Sequence, residues 1–389
     1  MGVVGAGTMG AGIGQLACQA GHRTLMHDPE PRALFGGLER AVSSIEKGVK
    51  RGLWSVNESV AAIGRLEAAP ELDRMARCDL VIEAAPEDLE LKRGLFARLG
   101  AIAPEAVLAT NTSSLSVTAI AKGAPRPEQV VGMHFFNPPP AMKLVEIVAG
   151  EDSSDAALEV ASDVAERMGR TPIRARDSVG FVGNRCARPF TLESLRMLEE
   201  GLASHEEIDW TCRVGGGFRM GPFELMDLIG IDVNYAVARS IYQQSGGVER
   251  WRPSRVQERL VAEGRLGRKS GRGFYEYPDV GEHREPDPQV DGERPVLDED
   301  ELSGLAGRGA PEILGRIAAQ IANEGCFALG EGVASPGDID TAMRLGFNWP
   351  LGPLEWGERL GWSRALAILE PFGDEEHRPA PILRELAAG

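Results

Sequence analysis

The chain has 389 residues, 43% hydrophobic and 26% charged, a composition that suits a soluble globular protein of two or three domains. Its formal net charge of −16 excludes the basic face that a phosphate backbone requires, so nucleic acid is not an expected partner. No apolar run approaches the ~20 residues of a membrane-crossing helix, and the chain enters a strand and a glycine loop where a signal peptide would stand.

Val3-Val4 reads as a strand running into the loop Gly5-Ala6-Gly7-Thr8-Met9-Gly10. That strand is short, so a few residues are expected to precede it. Residues 11–20 carry a helical pattern stopped at Gly21, and residues 23–27 form a second strand that delivers Asp28, 23 residues after Gly5. A GxGxxG alone is a weak signal. Between a strand and a helix, with an acid at this distance, it is a dinucleotide fingerprint. Its glycines let the backbone approach a pyrophosphate, which rests on the helix N-terminus. Gly5, Gly7, Thr8, Met9 and Gly10 are therefore the candidate cofactor loop. Asp28 would accept from the ribose hydroxyls and repel a 2′-phosphate, favouring NAD over NADP, with Arg32 a weak counterweight. Residues 32–52 are helical in pattern. Lys47, Lys50 and Arg51 near their end either form a solvated face or reach a phosphorylated ligand.

Residues 79–84 read as a buried strand, followed by Glu87 and a helix containing Lys92. A further strand at 106–109 delivers Asn111-Thr112-Ser113-Ser114. Small amide and hydroxyl residues at the carboxyl end of a parallel strand lie where open α/β sheets bind ligands. Ser114 or Ser116 also suits a helix N-cap, and both readings can hold. Two apolar runs, 132–136 and 144–148, then flank Pro138, Pro139 and Pro140, which cannot continue a ladder. If the runs pair antiparallel, His134 faces Glu146 across ~5 Å. A carboxylate holding one imidazole nitrogen fixes the tautomer and leaves the other to take a proton from an alcohol, a role that an unperturbed pKa of ~6.5 suits. A core hairpin with a satisfied histidine reads the same way.

Residues 155–168 predict a helix and 171–174 a last strand, with a domain boundary near Ser178. Long helical patterns follow through Gly201, then at 208–214 and 224–242, and 271–277 close this helical unit. Residues 279–303 hold ten carboxylates against two arginines among interspersed prolines, a composition that cannot bury a core and reads as a linker. Residues 198–230 align without a gap onto 329–361 at a constant offset of 131, matching Glu200/Glu331, Ile208/Ile339, Asp209/Asp340, Arg213/Arg344, Gly221/Gly352, Pro222/Pro353 and Glu224/Glu355. This marks an internal duplication. Leu314, Ile317, Ala318, Ile321 and Ala322 form an apolar stripe that must be covered. The five cysteines show no metal-ligand spacing, which points to reduced thiols, a cytoplasmic compartment and no metal site.

The chain resembles the L-3-hydroxyacyl-CoA dehydrogenase family through its glycine loop, Val81-Ile82-Glu83-Ala84, Asn111-Thr112-Ser113-Ser114, His134-Phe135-Phe136-Asn137-Pro138, Leu144-Val145-Glu146, Gly180-Phe181 and Asn184-Arg185. Arg188-Pro189-Phe190 and residues 221–227 look most like bacterial members that degrade aromatic (phenylacetate) and fatty acids. The resemblance implies an α/β Rossmann-type NAD-binding domain at 1–178 and an all-α, 6-phosphogluconate-dehydrogenase-like C-terminal domain at 179–278. An acidic linker at 279–309 and a second, degenerate C-terminal copy at 310–389 complete it. It implies an acyl-CoA thioester substrate oxidised at C3, with His134 as base oriented by Glu146. Ser113 and Asn184 would hydrogen-bond the reacting end. Glu87, Lys92 and Asn111 would stand on the cofactor side, and Lys47 and Lys50 would be candidates for CoA phosphates. Val179, where the family commonly has proline, and Gly183, where it has a larger apolar residue, loosen the loop before Asn184. In the family the C-terminal domain pairs with its twin from another subunit. Here the tandem copies are expected to form a pseudo-two-fold pair within one chain, in a monomer or a homodimer. The rivals are a dehydrogenase acting on hydroxy or sugar acids without CoA, which commonly uses a lysine base, and a crystallin-like structural protein on the same scaffold.

Overall fold

Short apolar runs bounded by glycine and proline alternate with amphipathic helices through the first half of the chain, a pattern that builds a sheet covered on both faces. The computed structural model describes residues 1–278 and 295–389 and divides into two compact units, Met1–Phe181 and Val182–Gly389.

In the first unit β1 (Gly2–Val4), α1 (Thr8–Gln19), β2 (Thr24–His27), α2 (Pro31–Lys50), α3 (Val56–Ile63) and β3 (Leu66–Ala68) make one half of a doubly wound sheet. β4 (Leu80–Glu83), α4 (Leu89–Ile102), β5 (Val107–Thr110), α5 (Val117–Ala121) and β6 (Val130–Phe135) make the other half, and β7 (Leu144–Ala149), α6 (Asp155–Arg167) and β8 (Thr171–Arg176) extend it. The strand order is β3-β2-β1-β4-β5-β6-β7-β8. β1 to β6 run parallel, β7 pairs antiparallel with β6, and β8 is parallel to β7. Val3, Ile13, Ile82, Ala109, Met133 and Ile147 join one apolar core. The chain reverses direction across the sheet between β1 and β4, the crevice where such sheets take ligands. Ser116 caps α5 by accepting from Ala119 N at 3.0 Å, whereas Ser114 turns its hydroxyl to Glu87.

The second unit is helical. α7 (Gly183–Glu200), α8 (His205–Val214), α9 (Pro222–Ile229), α10 (Ile231–Gln244) and α11 (Arg255–Ala262) precede α12 (Glu299–Ala306). α13 (Ala310–Gly330), α14 (Pro336–Gly346), α15 (Pro353–Leu360), α16 (Trp362–Leu369) and α17 (Pro381–Ala388) complete it. The pattern over 224–242 is two helices rather than one. Gly230 takes φ 102° between α9 and α10, a conformation open to glycine and absent from any helix. Residues 279–294 of the expected linker lie outside the described residues. Its described end folds, since Asp298 caps α12, acids fill the first turn, and Leu302 is buried where Gly215 leaves room. One well-placed leucine outweighed the acidic composition.

Local structure repeats at the 131-residue offset. Ser204 and Ser335 cap α8 and α14. Asp209 accepts from Phe223 N and Glu224 N, as Asp340 does from Leu354 N and Glu355 N. A Cβ on Gly221 or Gly352 would strike Asp209 or Asp340, which is why both α9 and α15 begin after glycine. Burial pushes Asp209 up to about 8 and Asp340 up to about 6.

α7 packs on α13, and the stripe Leu314, Ile317, Ala318, Ile321 and Ala322 is buried. Arg185 meets Glu324 at 2.6 Å and Glu331 at 2.7 Å. In turn Arg316 meets Glu193 at 2.6 Å and Glu200 at 2.6 Å. Each pair maps onto the other at the same offset, so the contact is reciprocal, as in an isologous interface. Burial would raise the Glu193 carboxyl, but His377, Arg196 and Arg316 hold it down to about 2. Burial would lower His377, but Glu193 and Asp374 raise it above the ordinary histidine value. The Glu193 contribution to stability is complete above ~4.5 and is lost as pH falls through about 2. The His377 contribution is complete below ~6.5 and is lost as pH rises through its raised folded value. The cluster is therefore strongest between those limits. Melting temperature against pH should show His377→Gln destabilised near pH ~6 and converging on wild type at alkaline pH. A constant difference across that range would remove the charge pair from the account.

Candidate active site

The site grows from the carboxyl ends of the central strands. After β1 the backbone turns through Gly5 at φ 96°. A Cβ there would strike the backbone of Ala84, and one on Gly10 would strike Gly5 O, so both glycines are required by close approach. A Cβ on Gly7 would meet no atom within 4 Å, and Thr8 and Met9 open α1 with no acid in its first turn. Open space before unpartnered helix N–H groups fits a pyrophosphate. Asp28 follows β2 and accepts from Ala6 N at 2.9 Å and Glu30 N at 3.0 Å. This pins the carboxylate beside the loop with lone pairs left for ribose hydroxyls. Arg40 on α2 donates to Ala6 O at 2.6 Å, a loop contact that the sequence reading did not find. Arg40 is itself exposed, and its one signal in the sequence was its place next to Ala41, a member of the buried stripe of α2.

Between β4 and β5 lies a buried polar network. Lys92 Nζ is 2.5 Å from Glu83 and 3.4 Å from Glu87. Glu83 also accepts from Thr110 at 2.7 Å. Glu87 collects Thr112 Oγ1 at 2.5 Å, Ser113 N and Ser114 N at 3.1 Å each, and Ser114 Oγ at 2.9 Å. Burial would raise the Glu87 carboxyl, but Thr112, Lys92 and Ser114 hold it below the usual carboxylate range. Glu87 and Lys92 thus shape the loop that carries Ser113. Glu83 and Thr110 are members of the network that sequence reasoning passed over, although an acid closing an apolar strand, nine residues before a lysine, was visible. Asn111 Oδ1 accepts from Phe135 N at 2.9 Å and ties that loop to the strand bearing the histidine.

His134 on β6 pairs in register with Glu146 on β7. Its Nδ1 stands 2.5 Å from Glu146 Oε2, with His134 6% exposed and Glu146 fully buried. A carboxylate at Nδ1 makes that nitrogen the donor and leaves Nε2 as the acceptor. The Phe136 and Phe181 rings lie 4.6 and 5.9 Å from the imidazole and give it apolar walls.

Asn184 stands in the first turn of α7, in the second unit, and its carbonyl accepts from Arg188 Nε. Lys47 and Lys50 are exposed in the last turn of α2 and have no ion pair among the described residues. All five cysteines are buried and form no disulfide among the described residues, and no helix of those residues is long and apolar enough to cross a membrane.

A doubly wound sheet with this glycine cradle and an acid after β2 defines a dinucleotide-binding domain of the kind dehydrogenases use. The description "3-hydroxyacyl-CoA dehydrogenase, NAD binding domain" matches residues 1–178, and the C-terminal domain of the same family matches 180–277 and 313–389. The 3-hydroxyadipyl-CoA dehydrogenase of Escherichia coli K12 is 38% identical, over 99% of this chain and 96% of that protein. A probable 3-hydroxybutyryl-CoA dehydrogenase of Deinococcus radiodurans is 41% identical over 71% of this chain and 99% of its own. The crystal structure of 3-hydroxybutyryl-CoA dehydrogenase from E. coli K12 superposes with a TM-score of 0.89 at 36% identity, covering 100% of this chain and 98% of that one. The chain belongs to the 3-hydroxyacyl-CoA dehydrogenase family and is an NAD-dependent oxidoreductase.

Proposed function

We propose that the protein oxidises an L-3-hydroxyacyl-CoA to the 3-oxoacyl-CoA in fatty-acid or aromatic-acid degradation, with His134 as general base. The observation that carries this reading is the buried 2.5 Å contact between His134 Nδ1 and Glu146. Nε2 takes the proton of the 3-hydroxyl, and Glu146 holds the ring in one tautomer and balances the imidazolium that forms. NAD, when bound, accepts the hydride from C3. Ser113 and Asn184 hydrogen-bond the substrate's reacting end, and Asn111 braces β6 through Phe135 N. Lys47 and Lys50, exposed and without ion pairs among the described residues, are available to CoA phosphates. Domains at 1–178 and 179–278, followed by a non-catalytic second copy, are consistent with the family matches and the 131-residue repeat. The reciprocal arginine–glutamate pairs support pseudo-two-fold pairing of the copies within one chain, working in the cytoplasm as a monomer or homodimer.

The test is NADH formation from a panel of 3-hydroxyacyl-CoA thioesters and from the corresponding free hydroxy acids. Turnover of free acids at rates equal to the thioesters would move the protein to the CoA-independent class. In the same assay NAD should exceed NADP in kcat/KM by about 10²-fold or more, the scale of opposing the Asp28 carboxylate with a 2′-phosphate. Equal values would mean that Arg32 or Arg40 overrides Asp28.

A further inference from the structure

Of the three buried arginines on α7 and α13, Arg188 has no acid to meet it among the described residues. Arg188 on α7 is 5% exposed, its Nε donates to Asn184 O at 3.2 Å, and its Nη1 has no hydrogen-bond partner. The other buried arginines of this helix pair, Arg185 and Arg316, each face two carboxylates. Burial alone acts on Arg188 and pushes it down to about 10, so it remains charged at neutral pH. A buried cation without a counterion is costly, and the cost falls when a ligand brings the anion.

The internal repeat separates what the fold needs from what it does not. At the 131-residue offset the second copy keeps Arg316, Glu324 and Glu331 in place of Arg185, Glu193 and Glu200. It has Gly315 in place of Asn184 and Ala319 in place of Arg188. The residues that join the copies survive, and Arg188 is lost together with the asparagine read as touching substrate.

We propose that Arg188 binds a carboxylate at the far end of the acyl chain, so that the preferred substrate is the mono-CoA thioester of a 3-hydroxylated dicarboxylic acid. This rests on the reading of Asn184 as meeting the reacting end. Residues four apart share one face of a helix, about 6 Å apart along its axis. Long helical side chains lean toward the N-terminus, which brings the Arg188 head back over the turn of Asn184, as its bond to Asn184 O records. In a six-carbon acyl chain the terminal carboxyl carbon lies three bonds beyond C3, roughly 4 Å away. A carboxylate there would meet the unpartnered Nη1 of a planar guanidinium, a group built to pair with carboxylates.

The test compares 3-hydroxyadipyl-CoA with 3-hydroxyhexanoyl-CoA, equal in length and different in the terminal group, with 3-hydroxybutyryl-CoA as a third substrate. Wild-type kcat/KM should favour the carboxylated thioester by about 10²-fold, within the range for a buried charge pair. Arg188→Met should bring that ratio close to one, and Arg188→Lys should restore part of it. Thermal shifts with adipyl-CoA and hexanoyl-CoA, which need no turnover, should reverse in the same way. A wild-type enzyme indifferent to the terminal group would overturn the proposal even if Arg188→Met did not fold. So would an Arg188→Met variant that keeps the wild-type ratio. Activity on the uncarboxylated thioesters without preference refutes the role of Arg188 alone, whereas inactivity on all three refutes the underlying dehydrogenase reading and this proposal with it.

Discussion

Glu146→Gln should lower kcat by about 10²–10⁴, the usual range for losing acid–base function, while KM for the thioester stays near wild type. Glutamine has the shape of glutamate and can still accept from Nδ1, so β6 and β7 keep their register and the buried position stays filled. What disappears is the negative charge 2.5 Å from the ring, which in the proposed mechanism balances the imidazolium while His134 holds the substrate proton. Loss concentrated in kcat is the mark of an interaction made in the transition state alone. Circular dichroism and NADH kinetics on the variant decide the matter. A folded Glu146→Gln with wild-type turnover would remove the pair from the mechanism and return the hairpin to a structural role.

The second large effect concerns stability. Glu324 is 2% exposed and accepts from Arg185 Nε at 2.6 Å, Arg250 Nε at 2.8 Å and Trp251 Nε1 at 3.1 Å. Glu324→Ala removes the buried acid shared by Arg185 and Arg250, leaves them the more exposed Glu331, and should cost about 3–5 kcal/mol of the helical unit's stability. Much of that is the penalty of a buried guanidinium that has lost its buried acid, so adding Arg185→Met to Glu324→Ala should recover part of the loss. Urea unfolding followed by tryptophan fluorescence reads both variants. A cost below about 1 kcal/mol would place these pairs with solvated surface bridges.

The dinucleotide half was legible because its signals are local. Glycines at fixed spacing, an acid after the second strand and two apolar runs about a proline cluster each fix a short stretch of backbone, and the His134–Glu146 register follows from strand geometry alone. The helical half was legible as a repeat but not in its contacts. Arg185 and Arg316 read as ordinary helix arginines, because their partners stand 139 and 123 residues away in sequence. The break at Gly230 was hidden by apolar residues that keep helical spacing across it. Likewise, Glu83 and Thr110 looked like strand termini until α4 brought Lys92 over them.

A homodimer writes every substitution twice, once on each side of its axis, so neither half can be altered without altering the other. The reciprocal pairs between α7 and α13 join two stretches of one gene product, and here each position can change alone. Asn184 and Arg188 stand at the offset from Gly315 and Ala319, so the two copies already differ at these positions. Evolution, or an engineer, can therefore reshape the helices of residues 310–389 while α7 keeps its sequence. Symmetry has become a scaffold that selection no longer enforces.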